Sequence, residues 1–154
     1  MAKDDDRRIG RLLARGYAVW QARTYDALAQ EGFADIRAAH SPVFRLVGAQ
    51  GARVSDLAAA ARMTKQSMAY LVDGLERAGY VSISADPDDR RAKRVMLTER
   101  GSAADAALAR LSRGLETELA ELIGEKGRED FRRFLQHLVS DMGGGPAPNE
   151  PPEL

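Results

Sequence analysis

Within the stretch DPDDRRAKRVMLTERG, from Asp86 to Gly101, the residues Arg90, Arg91, Lys93 and Arg94 place four cations in five positions, directly after Asp86, Asp88 and Asp89. Cations at that density suit a polyanion, because arginine stays charged and stays a multiple donor against phosphates or inside a narrow groove. The carboxylates sit badly with such a partner. A carboxylate beside an arginine can, however, fix the direction of the guanidinium through a paired hydrogen bond and keep it pointing outward. The alternative is a charged turn that meets only water. A calcium loop is excluded by position: counting from Asp86, the fifth and sixth residues are Arg90 and Arg91, where a ligand and a glycine belong, and the twelfth is Leu97 rather than glutamate.

A second group of polar side chains lies about twenty residues earlier. In VSDLAAAARMTKQSMAYLVDGLERAGYV, Lys65, Gln66, Ser67 and Tyr70 fall at the start of one helical pattern. At 100° per residue Met68, Leu71, Val72 and Leu75 cluster on one side, and Gln66, Ala69, Tyr70, Asp73 and Arg77 fall opposite. Hydrogen-bonding side chains on the outer N-terminal turns are what a recognition helix presents to base edges and phosphates in a major groove. No other chemistry competes. The chain lacks G-x-G-x-x-G, Walker A and G-x-S-x-G sequences, so no enzyme activity is expected. With no cysteine, and His40 and His137 far apart, neither a metal site nor thiol redox chemistry is expected, and no cofactor.

The elements that carry these groups follow from periodicity and punctuation. Ile9, Leu12, Leu13, Gly16, Tyr17, Trp20 and Leu28 form one stripe of a helix over about residues 6–30, which Gly32 ends. A second helix fits Asp35 to Gly48, with Pro42 implying a kink or a late start. Ser55 reads as the N-cap of a short helix ending near Arg62, and Thr64 as the N-cap of another ending at Gly79, which together make a helix-turn-helix. YVSIS and RVMLT then alternate as two strands around the Asp/Pro turn. The basic residues therefore sit at or just after the tip of a β-hairpin, a wing. Thr98 caps a long helix, with Glu99 in its first turn, and Leu108, Leu111, Leu115, Leu119 and Leu122 recur along it. Gly124 and Gly127 break it, and a last helix over about 128–142 aligns Phe131, Phe134, Leu135, Leu138 and Met142.

The stretch DDRRAKRVMLTERG resembles the wing signature of the MarR (multiple antibiotic resistance regulator) family, Asp-x-Arg, five residues, Leu-Thr, two residues, Gly, at Asp89, Arg91, Leu97, Thr98 and Gly101. TKQSMAYLVDGLERAGYV resembles the recognition helix that precedes that wing. The likeness is strong over 53–101 and architectural over about 5–142. It implies a mainly α fold with a small β-hairpin, a winged helix-turn-helix with N- and C-terminal dimerisation helices. It further implies a homodimeric transcription regulator on a pseudo-palindromic double-stranded DNA operator, usually a repressor released by a small aromatic or phenolic ligand. On this likeness Arg91 is the wing-tip arginine and Asp89 its orienting partner. Lys65, Gln66, Ser67 and Tyr70, with Arg90, Lys93 and Arg94, are the other expected DNA contacts. The implied effector site lies near Trp20, Arg37 and His40, where an aromatic wall and a cationic or imidazole donor would suit an aromatic carboxylate or phenol; the position of Trp20 on the core stripe favours packing over a ligand contact.

Whole-chain properties set the frame. The 154 residues are 44% hydrophobic and 30% charged with net charge zero, yet residues 1–100 hold 17 Lys+Arg against 13 Asp+Glu and the remainder 6 against 10. A basic front and an acidic rear fit a chain that meets a polyanion at its front only. The expected organisation is a terminal helix for dimerisation (1–34), the winged helix-turn-helix (35–100), C-terminal dimerisation helices (101–142) and a disordered tail (143–154). One winged helix cannot cover the apolar stripes of the terminal helices, so a second copy is expected to, with packing within the chain as the alternative. No apolar run reaches the roughly 18 to 20 residues of a membrane span, and no signal-peptide core follows MAKDDDRR, which points to the cytoplasm. A winged-helix module that binds protein rather than DNA is the competing reading. Operator, regulated genes, effector and direction of regulation depend on partners outside the chain.

Overall fold

The computed structural model describes residues 8–86, 89 and 92–142. Helix α1 (Ile9–Leu28) continues through one wider turn over Ala29–Phe33 and stops where Gly32 takes φ 95°, a left-handed conformation that glycine adopts at no steric cost. The segment expected as a helix from Asp35 is instead a single 3-10 turn, Ala38–His40, followed by α2 (Ser41–Val47). Pro42 explains the late start: it has no N–H to give, and the first turn of a helix is the place where none is needed.

After α2 come β1 (Ala52–Arg53), α3 (Val54–Ala60), α4 (Lys65–Arg77), β2 (Val81–Ala85), β3 (Lys93–Leu97) and α5 (Glu99–Met142). The expected hairpin is present, with Val81 opposite Leu97, Ile83 opposite Val95 and Ala85 opposite Lys93. It is joined by a strand that the sequence did not announce: β1 pairs antiparallel with β3, so the sheet order is β1-β3-β2. Two residues are too short for alternation to register. Gly51 permits the approach, since a β-carbon there would lie 2.5 Å from the Val95 carbonyl oxygen and 2.3 Å from Met96 Sδ.

Two boundaries differ from expectation. Ser55 is not an N-cap. Helix α3 begins two residues earlier, with Arg53 at the cap position, and the Ser55 hydroxyl donates to Asp56 instead. At the other end, α5 is interrupted only at Gly124 (φ 78°, ψ 158°), while Gly127 stays helical. The core lies under α4 and the sheet. Met68, Val72, Leu75, Tyr80, Val81 and Val95 are all buried there, along with Leu28 and Leu57. No helix among the described residues is long and apolar enough to cross a membrane.

Candidate nucleic-acid interface

Helix α4 starts as its sequence requires. The Thr64 hydroxyl accepts from the Ser67 N–H at 3.1 Å, satisfying one of the orphan donors of the first turn, and donates to the Ser67 hydroxyl at 2.8 Å. The apolar set Met68, Leu71, Val72 and Leu75 is buried, which commits the opposite face to the outside. Lys65, Gln66 and Ser67 are exposed on the first turn, and Tyr70 follows with 73% of its surface open. An aromatic ring so far out on a helix whose other face is fully buried contributes nothing to the core. The described partner of Arg77 is internal: its Nε donates to the Asp73 carbonyl at 3.3 Å.

The base of the wing is built on Asp86. Its carboxylate is fully enclosed and receives two guanidiniums. Arg53 donates from Nε to Oδ2 at 2.9 Å and from Nη2 to Oδ1 at 3.2 Å; Arg94 donates from Nε to Oδ2 at 3.1 Å. The Asp89 N–H adds a bond to Oδ1 at 3.2 Å, and the Asp86 N–H closes the hairpin on the Ala92 carbonyl at 3.0 Å. Arg94 also reaches the Gln50 carbonyl at 3.0 Å through Nη1, tying β3 to the turn before β1. The Asp86 carboxylate beside Arg53 raises that guanidinium further above its ordinary value. Among the described residues Asp86 is thus the carboxylate that holds Arg53 and Arg94, and the Asp89 N–H bonds to it. Arg94, expected at the DNA surface, is drawn into the root of the wing. Lys93 is exposed on β3. Arg90 and Arg91, like residues 1–7, 143–154 and the side chain of Met142, lie outside the described residues.

A second cluster fixes α4, the wing and α5 relative to one another. The Thr98 hydroxyl donates to the Gly79 carbonyl at 2.6 Å and accepts from the Gly101 N–H at 3.0 Å, so one side chain ends the wing and caps α5. Gly101 has no alternative at its position, because a β-carbon would come within 1.9 Å of the Tyr80 carbonyl oxygen. The Leu-Thr-x-x-Gly spacing thus has a packing cause. Buried Tyr80 packs its ring near Phe33 and Phe44, with centroids at 6.2 and 6.3 Å, beneath the Arg100 guanidinium at 4.4 Å. Its hydroxyl donates to Asp35 and accepts from Arg100 at 3.0 Å. Burial, then the Asp35 carboxylate, push the phenol above its ordinary value.

The expected effector residues are placed less decisively. Arg37 and His40 meet: the Arg37 N–H donates to His40 Nδ1 at 3.1 Å, which puts the proton of the neutral ring on Nε2, beside Gly74 of α4. Burial, then the Arg37 charge, lower the His40 imidazole below its ordinary value, against a smaller opposing effect of Asp35. Trp20 is half-buried on α1, where its carbonyl accepts from Thr24. A cleft of about 280 Å³ opens elsewhere, between α1 and α5, lined by Arg23, Thr24, Arg110, Leu111, Leu115 and Glu118. Ion pairs Arg23–Glu118 and Arg110–Glu31, both at 2.6 Å, bridge the same two helices. Among the described residues no group of three or more His, Asp or Glu could hold a metal.

Sequence reasoning missed Arg53 and Gln50. No local signal marks them, since their partners are Asp86 and Arg94, 33 and 44 positions away. Asp86 itself was visible as an acid among arginines.

Comparison with known proteins bears on this arrangement. A model of the MarR family matches residues 34–92, which take in α2 to α4 and the first half of the wing. Among solved structures, a MarR-family transcriptional regulator from Rhodococcus sp. RHA1 is 26% identical at a TM-score of 0.68, covering 90% of this chain and 95% of that one. A MarR-family protein from Mycobacterium tuberculosis in complex with salicylic acid is 27% identical at 0.64, covering 88% and 98%. CouR from Rhodococcus jostii RHA1, bound to p-coumaroyl-CoA, is 26% identical at 0.67, covering 87% and 93%. No curated protein sequence matches the chain. A helix-turn-helix with this wing, a Leu-Thr-x-x-Gly joint made necessary by the Tyr80 carbonyl, and a family match over the same residues point one way: residues 34–92 match the MarR family, and the chain is similar over most of its length to winged-helix transcriptional regulators of that family.

Proposed function

We propose that this chain is a sequence-specific double-stranded DNA-binding regulator that acts as a homodimer on a pseudo-palindromic operator, not an enzyme. The observation that carries the reading is the outer face of α4. Its inner face is wholly buried, while Lys65, Gln66, Ser67 and Tyr70 stand out from the first two turns beside a wing whose root is clamped by Asp86. In this reading α4 enters the major groove. Gln66 hydrogen-bonds base edges and Tyr70 adds an aromatic face. Lys65 and Ser67 meet phosphates, and the Ser67 hydroxyl keeps its own proton to donate because it accepts from Thr64. Lys93, with Arg90 and Arg91, extends the contact to the adjoining backbone or minor groove. Arg94 is left out of this set, because Asp86 and Gln50 occupy it.

The dimer accounts for apolar side chains that one copy leaves open on α1 and α5. Regulation is proposed as repression relieved by a small aromatic or phenolic ligand near Trp20, Arg37 and His40, where the His40 Nε2–H is a donor for a carboxylate or phenolate oxygen. The relatives with salicylic acid and p-coumaroyl-CoA support the aromatic class.

The test is selection from a randomised duplex pool at near-physiological salt. Enrichment of a two-fold-symmetric site is expected. Arg91→Ala and Tyr70→Ala should each weaken binding to that site by about 10- to 100-fold while leaving the dimer intact. A folded, dimeric protein that enriches no site would overturn the reading in favour of a protein-binding winged helix.

A further inference from the structure

We infer that Asp86 is a specificity-determining residue of the wing: by holding Arg53 and Arg94 on one enclosed carboxylate, it withholds two cations from the phosphate backbone and so limits sequence-independent binding. The inference rests on the DNA-binding reading above. Its basis is the stoichiometry of the cluster. A single carboxylate with no exposed surface faces two guanidiniums whose side chains are still 34% and 24% exposed. Oδ2 accepts both Nε donors, and Oδ1 accepts Arg53 Nη2 and the Asp89 N–H. The acid is therefore saturated, with Arg53 held through Nε and Nη2 and Arg94 through Nε and Nη2 on Asp86 and through Nη1 on the Gln50 carbonyl.

Without the acid, two like charges would face each other across the space it fills, and both side chains are long enough to turn outward. Beside a DNA duplex they would pair with phosphates. Such contacts raise affinity for any sequence alike and steepen the dependence on salt by about one unit of log–log slope per phosphate. Operator recognition through α4 and the wing tip gains nothing from them, and it loses the fixed angle that Arg94 gives β3 through Gln50. Discrimination between operator and random DNA therefore falls from both sides.

A clamp that only stabilised the wing would behave differently, because its loss would weaken operator and random DNA together and leave the salt slope flat or reduced.

The experiment measures affinity for the selected operator and for a random duplex across a salt series, using wild type, R53M, D86N and the D86N/R53M double variant as full-length dimers. Wild type is read first: binding to neither duplex overturns the DNA-binding reading itself. For R53M the expected random-DNA salt slope equals that of wild type, since Arg53 is occupied. For D86N the slope should steepen by about one to two units, affinity for random DNA should rise about tenfold at low salt, and the operator-to-random ratio should fall by about tenfold or more. The double variant should give back about one unit of the added slope. Two results overturn the inference alone. One is a D86N protein that loses operator and random binding equally with no steeper slope. The other is an R53M protein with a flatter slope than wild type, which would place Arg53 on a phosphate already. The R53M result decides the matter even if D86N does not fold.

Discussion

The winged helix and the terminal helices treat their apolar surface in opposite ways. From α2 to β3 the described large apolar side chains are buried or half-buried except Tyr70, which lies on the proposed DNA face. On α1 and the far part of α5 the same residue types stand in solvent: Ile9 at 66% exposed, Leu12, Tyr17 and Val19 near it, and Leu122 at 80% with Ile123, Phe131, Phe134 and Val139. The winged helix is complete in one chain. The terminal helices leave their stripes open, so equally regular hydrophobic stripes are buried within the chain in one place and left for the proposed second copy in another.

Four substitutions or conditions would break or sharpen that contrast. The largest effect is expected from Phe131→Asp with Phe134→Asp. Each buried phenylalanine contributes about 1.5 to 3 kcal/mol, so losing both from each copy should weaken the dimer by at least about a hundredfold, read by sedimentation at micromolar concentration. A dimer of unchanged strength would remove these residues from the interface. Next is Gly101→Ala. The β-carbon collides with the Tyr80 carbonyl, and the unfolding midpoint in urea should fall by the equivalent of about 3 kcal/mol. An unaffected midpoint would mean that the α4–α5 joint is not rigid.

Smaller, and opposite in sign, is Gly16→Ala on α1. Among the described residues nothing outside the helix's own backbone lies within 4 Å of the added carbon, so helix propensity should raise stability by about 0.5 to 1 kcal/mol. Destabilisation in the dimer, with stabilisation in the Phe131/Phe134 double variant, would put the partner against Gly16. The smallest effect is a pH dependence inside the winged helix. His40 has a folded-state value below its ordinary 6.5, so the unfolded chain takes up its proton first. Its contribution should be complete above about pH 6.5 and decline as the pH falls through the lowered folded value. His40→Gln should flatten unfolding free energy against pH in that window; an unchanged profile would assign the slope to other groups.

Thr64, Gly32, Gly124 and the Met68–Leu71–Val72–Leu75 cluster were legible in the sequence. So were the hairpin strands and Thr98 as a cap. All of these depend on residues within about one helical turn, or on one strand's alternation, where backbone sterics and side-chain direction leave few choices. Pro42 was legible only as a choice between a kink and a late start, and packing of the preceding 3-10 turn resolved it.

By itself, then, the sequence determined that there would be a helix-turn-helix, a basic wing and apolar terminal helices, because periodicity and capping act over three or four residues. Tertiary structure alone decided that Arg94 turns onto Asp86, that the same carboxylate gathers Arg53 from 33 positions away, and that Gly101 is held to glycine by the Tyr80 carbonyl. These outcomes join residues that are distant in sequence or on separate strands. A carboxylate chooses among several nearby cations by which of them the folded backbone brings within about 3 Å, and that distance exists only once β1, β3 and α5 have been laid beside one another.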